Sequence, residues 1–441
     1  MNAQEWHGHV ITKAAALIGC TALVLSVTGT TAQAAQAQVA QAKDVARQTL
    51  AANDGWGSYG TGTTGGASAD AAHVYTVTTW AEFKAALKAG GTAPKIIKVK
   101  GTIDANADGC ASFAAEGYDF AQYLADYDPA VWGHDKVVSG PQEDARAASA
   151  ANQDTAIKAN VPANTTIIGI GKNAGFKGAS LQIKAVDNII VRNLAFESPL
   201  DCFPQWDPTD TADGNWNSEY DSAVVYGSTH VWLDHNTFTD GDHPDSSLPS
   251  YYGRIYEQHD GELDIVKGAD YVTASWNVFT DHDKTILIGN SDSASTAAVD
   301  RGHLKVTFHH NLFSNLVERA PRVRFGQVDS YNNHFVAEAG FAYSYGIGME
   351  SQLVAEHNAF TLPGGVKAGS ILKKWKEAPV TAADNYVNGS PTDLIAVHNA
   401  EIPAETLQSG AGWTPTLRTK VDAPRAVPGI VDHRAGAGKV C

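Results

Sequence analysis

The stretch HLKVTFHHNLF, residues 303–313, carries the pattern that decides the fold of this chain. It is a short run of alternating apolar residues, followed by Asn311 and then by the aromatic residue Phe313. Five further stretches repeat the pattern: VDNIIVRNLAF (186–196), THVWLDHNTF (229–238), DYVTASWNVF (270–279), VDSYNNHF (328–335) and QLVAEHNAF (352–360). Alternating, β-branched runs that stop at a turn residue are typical of short β-strands. The sequence therefore predicts repeated copies of one strand-and-turn unit.

The spacing of the asparagines gives the size of that unit. They lie 41, 34, 22 and 25 residues apart, at Asn236, Asn277, Asn311, Asn333 and Asn358. A repeat near the shorter spacings, with inserted loops in the longer ones, indicates a β-solenoid whose stacked coils bury one continuous apolar face. We expect each asparagine to adopt a left-handed backbone and to hydrogen-bond to the next one. A β-sandwich is the alternative, but its NG or DG hairpin turns at short, even spacing are missing.

The charge of the chain limits its partners. The 441 residues carry a formal net charge of -16 at pH 7 and are 43% hydrophobic. Because no basic stripe balances the acidity, nucleic acid is disfavoured as a partner. An acidic protein can still bind a polyanion if a divalent cation lies between them.

Residues 1–34 are predicted to be a secretory signal peptide. The apolar run AAALIGCTALVLSV (14–27) follows Lys13, and Ala32-Gln33-Ala34 has the form of a cleavage site. A membrane anchor is the alternative, but the run is shorter than the roughly 20 residues that span a bilayer. We expect a secreted, extracellular protein without a membrane attachment, with residues 35–441 as a single domain and a monomer as the default.

Three cysteines remain once the signal peptide is removed: Cys110, Cys202 and Cys441. An oxidising compartment permits one disulfide and one free thiol among them. We predict that Cys110 and Cys202 form the pair.

Carboxylates concentrate in one region of the solenoid. Asp260 and Asp264 lie on a tight loop with Gly261 between them, and Asp221 begins the strand of the neighbouring coil. Three carboxylates this close would repel one another, and a hard cation relieves the repulsion. Ca²⁺ prefers oxygen ligands from carboxylates and water, so the set predicts a calcium site. A single turn aspartate would by itself indicate nothing more than a turn.

Fixed positive charge follows further along the chain. Lys284 ends the run DHDK (281–284), and the stretch ERAPRVRFG (318–326) holds Arg319, Arg322 and Arg324. Surface ion pairs are the alternative interpretation, Lys284 with Asp283 and Arg319 with Glu318. The residues alone leave both interpretations open.

Five segments, in this order, resemble the pectate lyases of polysaccharide lyase family 1. They are NWNSEYD (215–221), VWLDHNTF (231–238), HDGELDI (259–265), HDKTILIG (282–289) and RAPRVRFG (319–326). The similarity runs from about residue 164 to about residue 358. The resemblance implies an all-β fold, a right-handed parallel β-helix with short helices and long loops. It also implies calcium-dependent cleavage of polygalacturonate by β-elimination.

The resemblance also implies a role for each matching residue. Asp221, Asp260 and Asp264 would bind Ca²⁺, and Arg319 would remove the C5 proton of a uronate residue. Lys284 and Arg324 would hold substrate carboxylates, which leaves Arg322 as a structural residue. Because arginine is normally protonated, we expect neighbouring cations to lower the pKa of Arg319. A hydroxide held by calcium is the alternative base.

Three other functions compete with this interpretation. A pectin lyase acting on methyl-esterified substrate would not need the calcium carboxylates. A polygalacturonase would need paired aspartates and Gly-His-Gly signatures, which we do not find. A non-catalytic, pectin-binding β-helix could lose Lys284 or Arg319, and both are present. Polygalacturonate with Ca²⁺ is the favoured pair of partners.

Overall fold

The computed structural model describes residues 44–440, and the residues from Val45 onward form one compact unit. The predicted signal peptide lies outside the described residues. The helices are α1 (Trp80–Lys88), α2 (Phe120–Asp126), α3 (Pro129–Trp132), α4 (Pro141–Ile157), α5 (Ala294–Asp300), α6 (Leu394–Glu401) and α7 (Val427–Arg434). Within this part of the chain, none of the helices is long and apolar enough to cross a bilayer.

Strands make up most of the molecule. The first half holds β1 (Val74–Val77), β2 (Lys95–Asp104), β3 (Lys158–Asn160), β4 (Thr165–Lys177), β5 (Ser180–Lys184), β6 (Asp187–Arg192), β7 (Ala195–Glu197), β8 (Gln205–Asp207), β9 (Asn215–Asn217), β10 (Ala223–Tyr226), β11 (Thr229–Asp234), β12 (Thr237–Thr239), β13 (Ser250–Tyr251), β14 (Arg254–Ile255) and β15 (Leu263–Val266). The second half holds β16 (Asp270–Ser275), β17 (Val278–Lys284), β18 (Leu287–Ile288), β19 (Val306–His309), β20 (Leu312–Glu318), β21 (Arg322–Val323), β22 (Gln327–Tyr331), β23 (His334–Val336), β24 (Tyr345–Ile347), β25 (Gln352–Glu356), β26 (Ala359–Thr361), β27 (Leu372–Lys374), β28 (Val380–Ala383), β29 (Asn385–Val387) and β30 (Ser390–Thr392).

These strands form three parallel ladders, which are the faces of a β-helix. The first ladder runs β1-β2-β4-β6-β11-β16-β19-β22-β25-β28, and the second runs from β4 through β7-β12-β17-β20-β23-β26-β29. The third ladder runs β3-β5-β10-β15-β18-β21-β24-β27. The prediction of a parallel β-helix is confirmed, and the β-sandwich alternative is wrong.

In-register columns of like side chains fill the interior. The aromatic residue that follows each repeated asparagine stacks on its equivalent in the next coil, with successive ring centroids 4.6–5.7 Å apart. The column comprises Phe176, Phe196, Phe238, Phe279, Phe313, Phe335 and Phe360, all buried. Its regularity follows from the parallel register, which places equivalent positions of neighbouring coils side by side.

The predicted asparagine ladder is present at the bend between the first and second ladders. The Nδ2 group of each asparagine donates to Oδ1 of the next, over 2.9–3.3 Å from Asn236 to Asn385. The expectation of a left-handed backbone at the asparagines themselves is wrong. The positive φ belongs to the preceding residue: His235, Trp276, His310, Asn332 and His357. This turn leaves the asparagine side chain directed into the bend, where water cannot replace its partners.

Replacing Asn311 with alanine should lower the free energy of unfolding by about 3 kcal/mol or more. The Asn311 side chain accepts from both nitrogens of Asn277 and donates to Ala274 O and to Asn333. Its loss would leave buried polar groups unpaired. Urea denaturation measures the change, with the exposed Asn290→Ala as the control. Equal midpoints for the two variants would mean that the ladder is not stabilising.

The predicted disulfide is present between Cys110 and Cys202. It joins the segment that contains α2 to α4 to the loop that follows β7, across 92 residues of chain. Closing a loop of that length reduces the entropy of the unfolded chain, a contribution of about 4.6 kcal/mol. The double variant Cys110→Ser/Cys202→Ser should unfold at a lower urea concentration, with a free energy of unfolding reduced by that amount. Cys441→Ser is the control, and a double variant as stable as this control would contradict the prediction.

Candidate active site

The three predicted calcium ligands lie on, or just before, two neighbouring strands of the third ladder. Asp264 belongs to β15 and faces outward, and Val224 of β10 is its partner in register. Asp221 lies just before β10, and Asp260 lies just before β15. Adjacent coils therefore supply the carboxylates, as their positions in the repeat predicted.

Gly261 leaves open the space that these carboxylates surround. A Cβ atom at this glycine would lie 2.6 Å from Asp264 Oδ1 and 2.8 Å from Asp221 Oδ1. The backbone N–H of Gly261 also donates to Asp221 Oδ1 at 2.9 Å, and that of Leu287 donates to Asp264 Oδ1 at 3.0 Å. Two carboxylate oxygens thus converge on a gap that any side chain would fill.

Burial and mutual repulsion disfavour the ionised forms of the three carboxylates. Burial and the charge of Asp260 raise the pKa of Asp264 to about 7. Burial, followed by Asp264 and Asp260, raises the pKa of Asp221 well above its ordinary value. Burial also raises the pKa of Asp260, although Lys284 and Arg319 oppose that shift. An all-oxygen donor set with unrelieved repulsion fits Ca²⁺, which takes 6–8 oxygen ligands in flexible geometry.

Two tighter acidic groups lie nearby, and the sequence did not reveal them. In residues 44–440, ligand atoms within 4.8 Å of one another occur in Asp240, Asp245 and His259, and in Asp245, Glu257 and Asp283. The predicted triad does not meet that distance.

Lys284 and Arg319 reach the carboxylates from the second ladder and from the turn that follows it. Lys284 ends β17 and pairs in register with Glu318, the last residue of β20. Its ammonium group lies 3.4 Å from Glu257 and forms no ion pair with Asp283 within 4.0 Å, so the alternative pairing with Asp283 is wrong. Arg319 adopts a left-handed backbone with φ 63°. Such a conformation in a non-glycine residue is costly and is often found at functional sites.

Arg319 is paired with the carboxylate of the preceding residue, Glu318. Its Nε donates to Glu318 Oε1 at 2.8 Å, as the ion-pair interpretation anticipated. Burial lowers the pKa of Arg319, but Glu318 and, to a smaller extent, Asp264 and Asp260 raise the pKa by more, so the net shift is upward. The positive side chains of the protein therefore do not by themselves lower this pKa, and a downward shift with Ca²⁺ bound stays a prediction. The sequence named these three carboxylates, but their effect on the pKa of Arg319 depends on distances that the sequence does not give.

Arg324 lies further along the same face, after β21. Arg324 is 9% exposed. Its guanidinium donates hydrogen bonds to Asp292 Oδ1 at 2.7 Å and to the carbonyl oxygen of Gly289 at 2.8 Å. Its nearest anion is thus Asp292 rather than the calcium carboxylates. The structure brings Arg319 and Lys284 to the carboxylates and keeps Arg324 at the edge of the group.

His282 is a positioning residue that the sequence did not assign. Its Nδ1 lies 2.6 Å from Asp240 Oδ1, and its Nε2 lies 2.6 Å from the carbonyl oxygen of Asp260. Burial lowers the pKa of His282, but Asp240 raises it by more, to about 10. The protonated ring can donate at both nitrogens and so ties the Asp260 loop to Asp240. The signal available in the sequence was its place between Asp281 and Lys284.

Comparisons with known proteins agree with this geometry. A family model described as pectate lyase matches residues 24–118 and 121–407. A pectate lyase of Bacillus subtilis (strain 168) is 45% identical over 413 residues, which cover 91% of this chain and 96% of that protein. Pectate lyase D of Dickeya chrysanthemi is 37% identical over 443 residues, which cover 97% of this chain and 96% of that protein.

Solved structures show the same fold. A thermostable pectate lyase superimposes with a TM-score of 0.87 at 44% identity, covering 90% of this chain and 100% of that chain. A pectate lyase bound to a hexasaccharide superimposes with a TM-score of 0.85 at 43% identity and the same coverage. The fold is that of a parallel β-helix polysaccharide lyase. The chain belongs to the pectate lyase family.

Proposed function

We propose that the protein is a secreted, calcium-dependent pectate lyase that cleaves α-1,4-polygalacturonate by β-elimination and releases 4,5-unsaturated oligogalacturonides. The observation that carries the proposal is the group of buried carboxylates around Gly261, with Lys284 and Arg319 close enough to Asp260 to act on its pKa. Relatives named pectate lyases, and one bound to a hexasaccharide, support the choice of substrate.

The reaction requires positive charge at one carboxylate of the substrate. The C5 proton passes to a base, the C5–H electron pair becomes the C4–C5 double bond, and the C4–O bond breaks while its oxygen gains a proton. Removing a proton beside a carboxylate places a second negative charge on that group. Calcium bound by Asp221, Asp260 and Asp264 would offset that charge. Lys284, with its ammonium at the edge of the same site, holds the carboxylate in place.

Arg319 is the proposed base, and its surroundings set the condition for that role. The pair with Glu318 favours the charged guanidinium. An uronate that enters the site brings its C5–H toward Arg319. Arg319 can accept a proton only when its guanidinium is neutral. We therefore expect the reaction to be favoured at alkaline pH. Bound Ca²⁺ would offset the negative charges of Asp260 and Asp264, which raise the pKa of Arg319, and would therefore lower that pKa.

The test is an assay on polygalacturonate with and without Ca²⁺, which follows the ultraviolet absorbance of unsaturated product. Product that requires Ca²⁺ supports the proposal. Activity that survives EDTA and prefers methyl-esterified pectin would indicate a pectin lyase, and reducing ends without absorbance would indicate hydrolysis. Activity recovered from the medium of an expressing culture, rather than from cells, tests secretion.

A further inference from the structure

Asp221 and Asp260 reach the calcium site from segments that lie outside the regular strands. The pairing of β10 with β15 begins at Ala223 and Leu263, beyond both aspartates. The register of the third ladder therefore does not by itself fix the separation of the two carboxylates. Other contacts must hold the two lead-in segments, residues 218–221 and 257–260, at the distance that one cation requires.

Asp201, in the loop between β7 and β8, makes hydrogen bonds to both lead-in segments. Its Oδ2 accepts from the backbone N–H of Glu219 at 3.2 Å. Its own N–H donates to the carbonyl oxygen of Gln258 at 2.7 Å, and its carbonyl oxygen accepts from Gln258 Nε2 at 2.7 Å. Glu219 lies two residues before Asp221, and Gln258 lies two residues before Asp260. One residue thus joins the two segments at equivalent positions.

A carboxylate suits this position because both of its oxygens accept from a backbone N–H. The Oδ1 atom of Asp201 accepts from Phe203 at 2.8 Å, which fixes the side chain within its own loop, and Oδ2 accepts from Glu219. Asparagine would offer one acceptor and would turn an N–H donor toward the other N–H. The residue is only 2% exposed, so water cannot replace a lost partner.

The loop that carries Asp201 is anchored from behind by α4, which lies outside the three ladders. Gln153 of this helix is fully buried, donates to the carbonyl oxygen of Leu200 at 2.8 Å and accepts from the N–H of Cys202 at 3.0 Å. Arg146, also on α4, donates to the carbonyl oxygen of Phe203 at 2.8 Å. Asp201 therefore lies between residues whose backbone is bonded to one helix, and the disulfide at Cys202 adds a covalent anchor.

We propose that Asp201 is a positioning residue for the calcium site. It holds the segments that carry Asp221 and Asp260 at the separation from which both carboxylates reach one cation. The same loop also approaches the residue before Asp260, since the carbonyl oxygen of Pro199 lies 3.1 Å from His259 Nδ1. A site preformed in this way loses less conformational entropy when the ion binds, and loss of such an outer contact lowers metal affinity about 10- to 100-fold. The inference rests on the calcium dependence in the proposed function.

Calorimetry measures the effect on calcium directly. Ca²⁺ is titrated into the native protein and into Asp201→Asn without substrate, and the variant should bind with a Kd raised about tenfold. In the assay on polygalacturonate, the Ca²⁺ concentration for half-maximal activity should rise by the same factor. The kcat at saturating Ca²⁺ should stay within about twofold, because the calcium ligands themselves are unchanged.

Asp329→Asn is the matched control, because Asp329 is also 2% exposed and lies on β22, three strands from β11 along the first ladder. Asp329 pairs with Arg418 at 2.6 Å, so the change should lower the free energy of unfolding in urea and leave the Kd for Ca²⁺ unchanged. Gln258→Ala is a milder second variant at a partly exposed side chain, and it should raise the Kd about threefold. It decides the question if Asp201→Asn does not fold.

The outcomes separate this role from the proposed function. An unchanged Kd in the deciding variant, or an equal rise in Asp329→Asn, overturns the positioning role, and calcium-dependent unsaturated product from the native enzyme then leaves the function standing. A raised Kd in a protein that forms no unsaturated product keeps the positioning role and overturns the function. A native protein that binds no Ca²⁺ overturns both.

Discussion

Arg319→Lys should lower kcat on polygalacturonate by about 10²- to 10⁴-fold, the range for loss of a general base. Lysine keeps a positive charge but replaces the rigid, planar guanidinium of arginine with a single ammonium group on a flexible chain. The Nε of Arg319 is fixed by Glu318 at 2.8 Å, and its left-handed backbone directs the side chain toward the carboxylates. Lysine has no nitrogen at the Nε position to reproduce that contact.

The measurement separates catalysis from binding. Initial rates give kcat and KM, and calorimetry gives the affinity for hexagalacturonate, which should stay within about threefold because Lys284 and the calcium carboxylates remain. Arg301→Lys is the matched control, since Arg301 forms the same type of pair with Glu350 at 2.6 Å on an exposed surface. Its activity should not change. Arg319→Ala that remains close to fully active would assign the base to another group.

The fold could be predicted from the sequence because a β-helix repeats in register. Equivalent residues of successive coils become neighbours, so one strand pattern is enough to align Asn277 with Asn311 and Phe279 with Phe313. The same rule predicted that Asp221 and Asp264 lie on adjacent strands. These inferences needed the period of the repeat and no knowledge of the loops.

Partners supplied by loops could not be predicted in this way. Lys284 pairs with Glu257, which precedes β15 in an inserted segment of irregular length. Asp245 lies in the same insertion and meets both Glu257 and Asp283. A repeat defines neighbours along the axis, and the conformation of an insertion has to be observed.

Removing calcium should abolish the release of unsaturated product, and adding it back should restore the rate. Without a cation, the carboxylates of Asp221, Asp260 and Asp264 repel a substrate that is itself a polyanion, so both binding and catalysis fail. The rate is followed by absorbance during titration with EDTA and then with Ca²⁺. A reduction of at least about 100-fold is expected, since Ca²⁺ would offset the charge that develops in the transition state.

Asp264→Asn tests the site without a chelator. The amide keeps the shape of the side chain but removes one negative ligand beside the gap at Gly261, so the Ca²⁺ concentration for half-maximal activity should rise at least about tenfold. Asp384→Asn is the control, because its side chain is 72% exposed.

Stability gives a second readout: Ca²⁺ at 100 times its Kd should raise the free energy of unfolding of the native protein by about 2.7 kcal/mol. The same Ca²⁺ concentration should stabilise Asp264→Asn much less. Equal stabilisation of both proteins, together with equal calcium requirements, would place the cation elsewhere, and the group formed by Asp245, Glu257 and Asp283 would be the next to test.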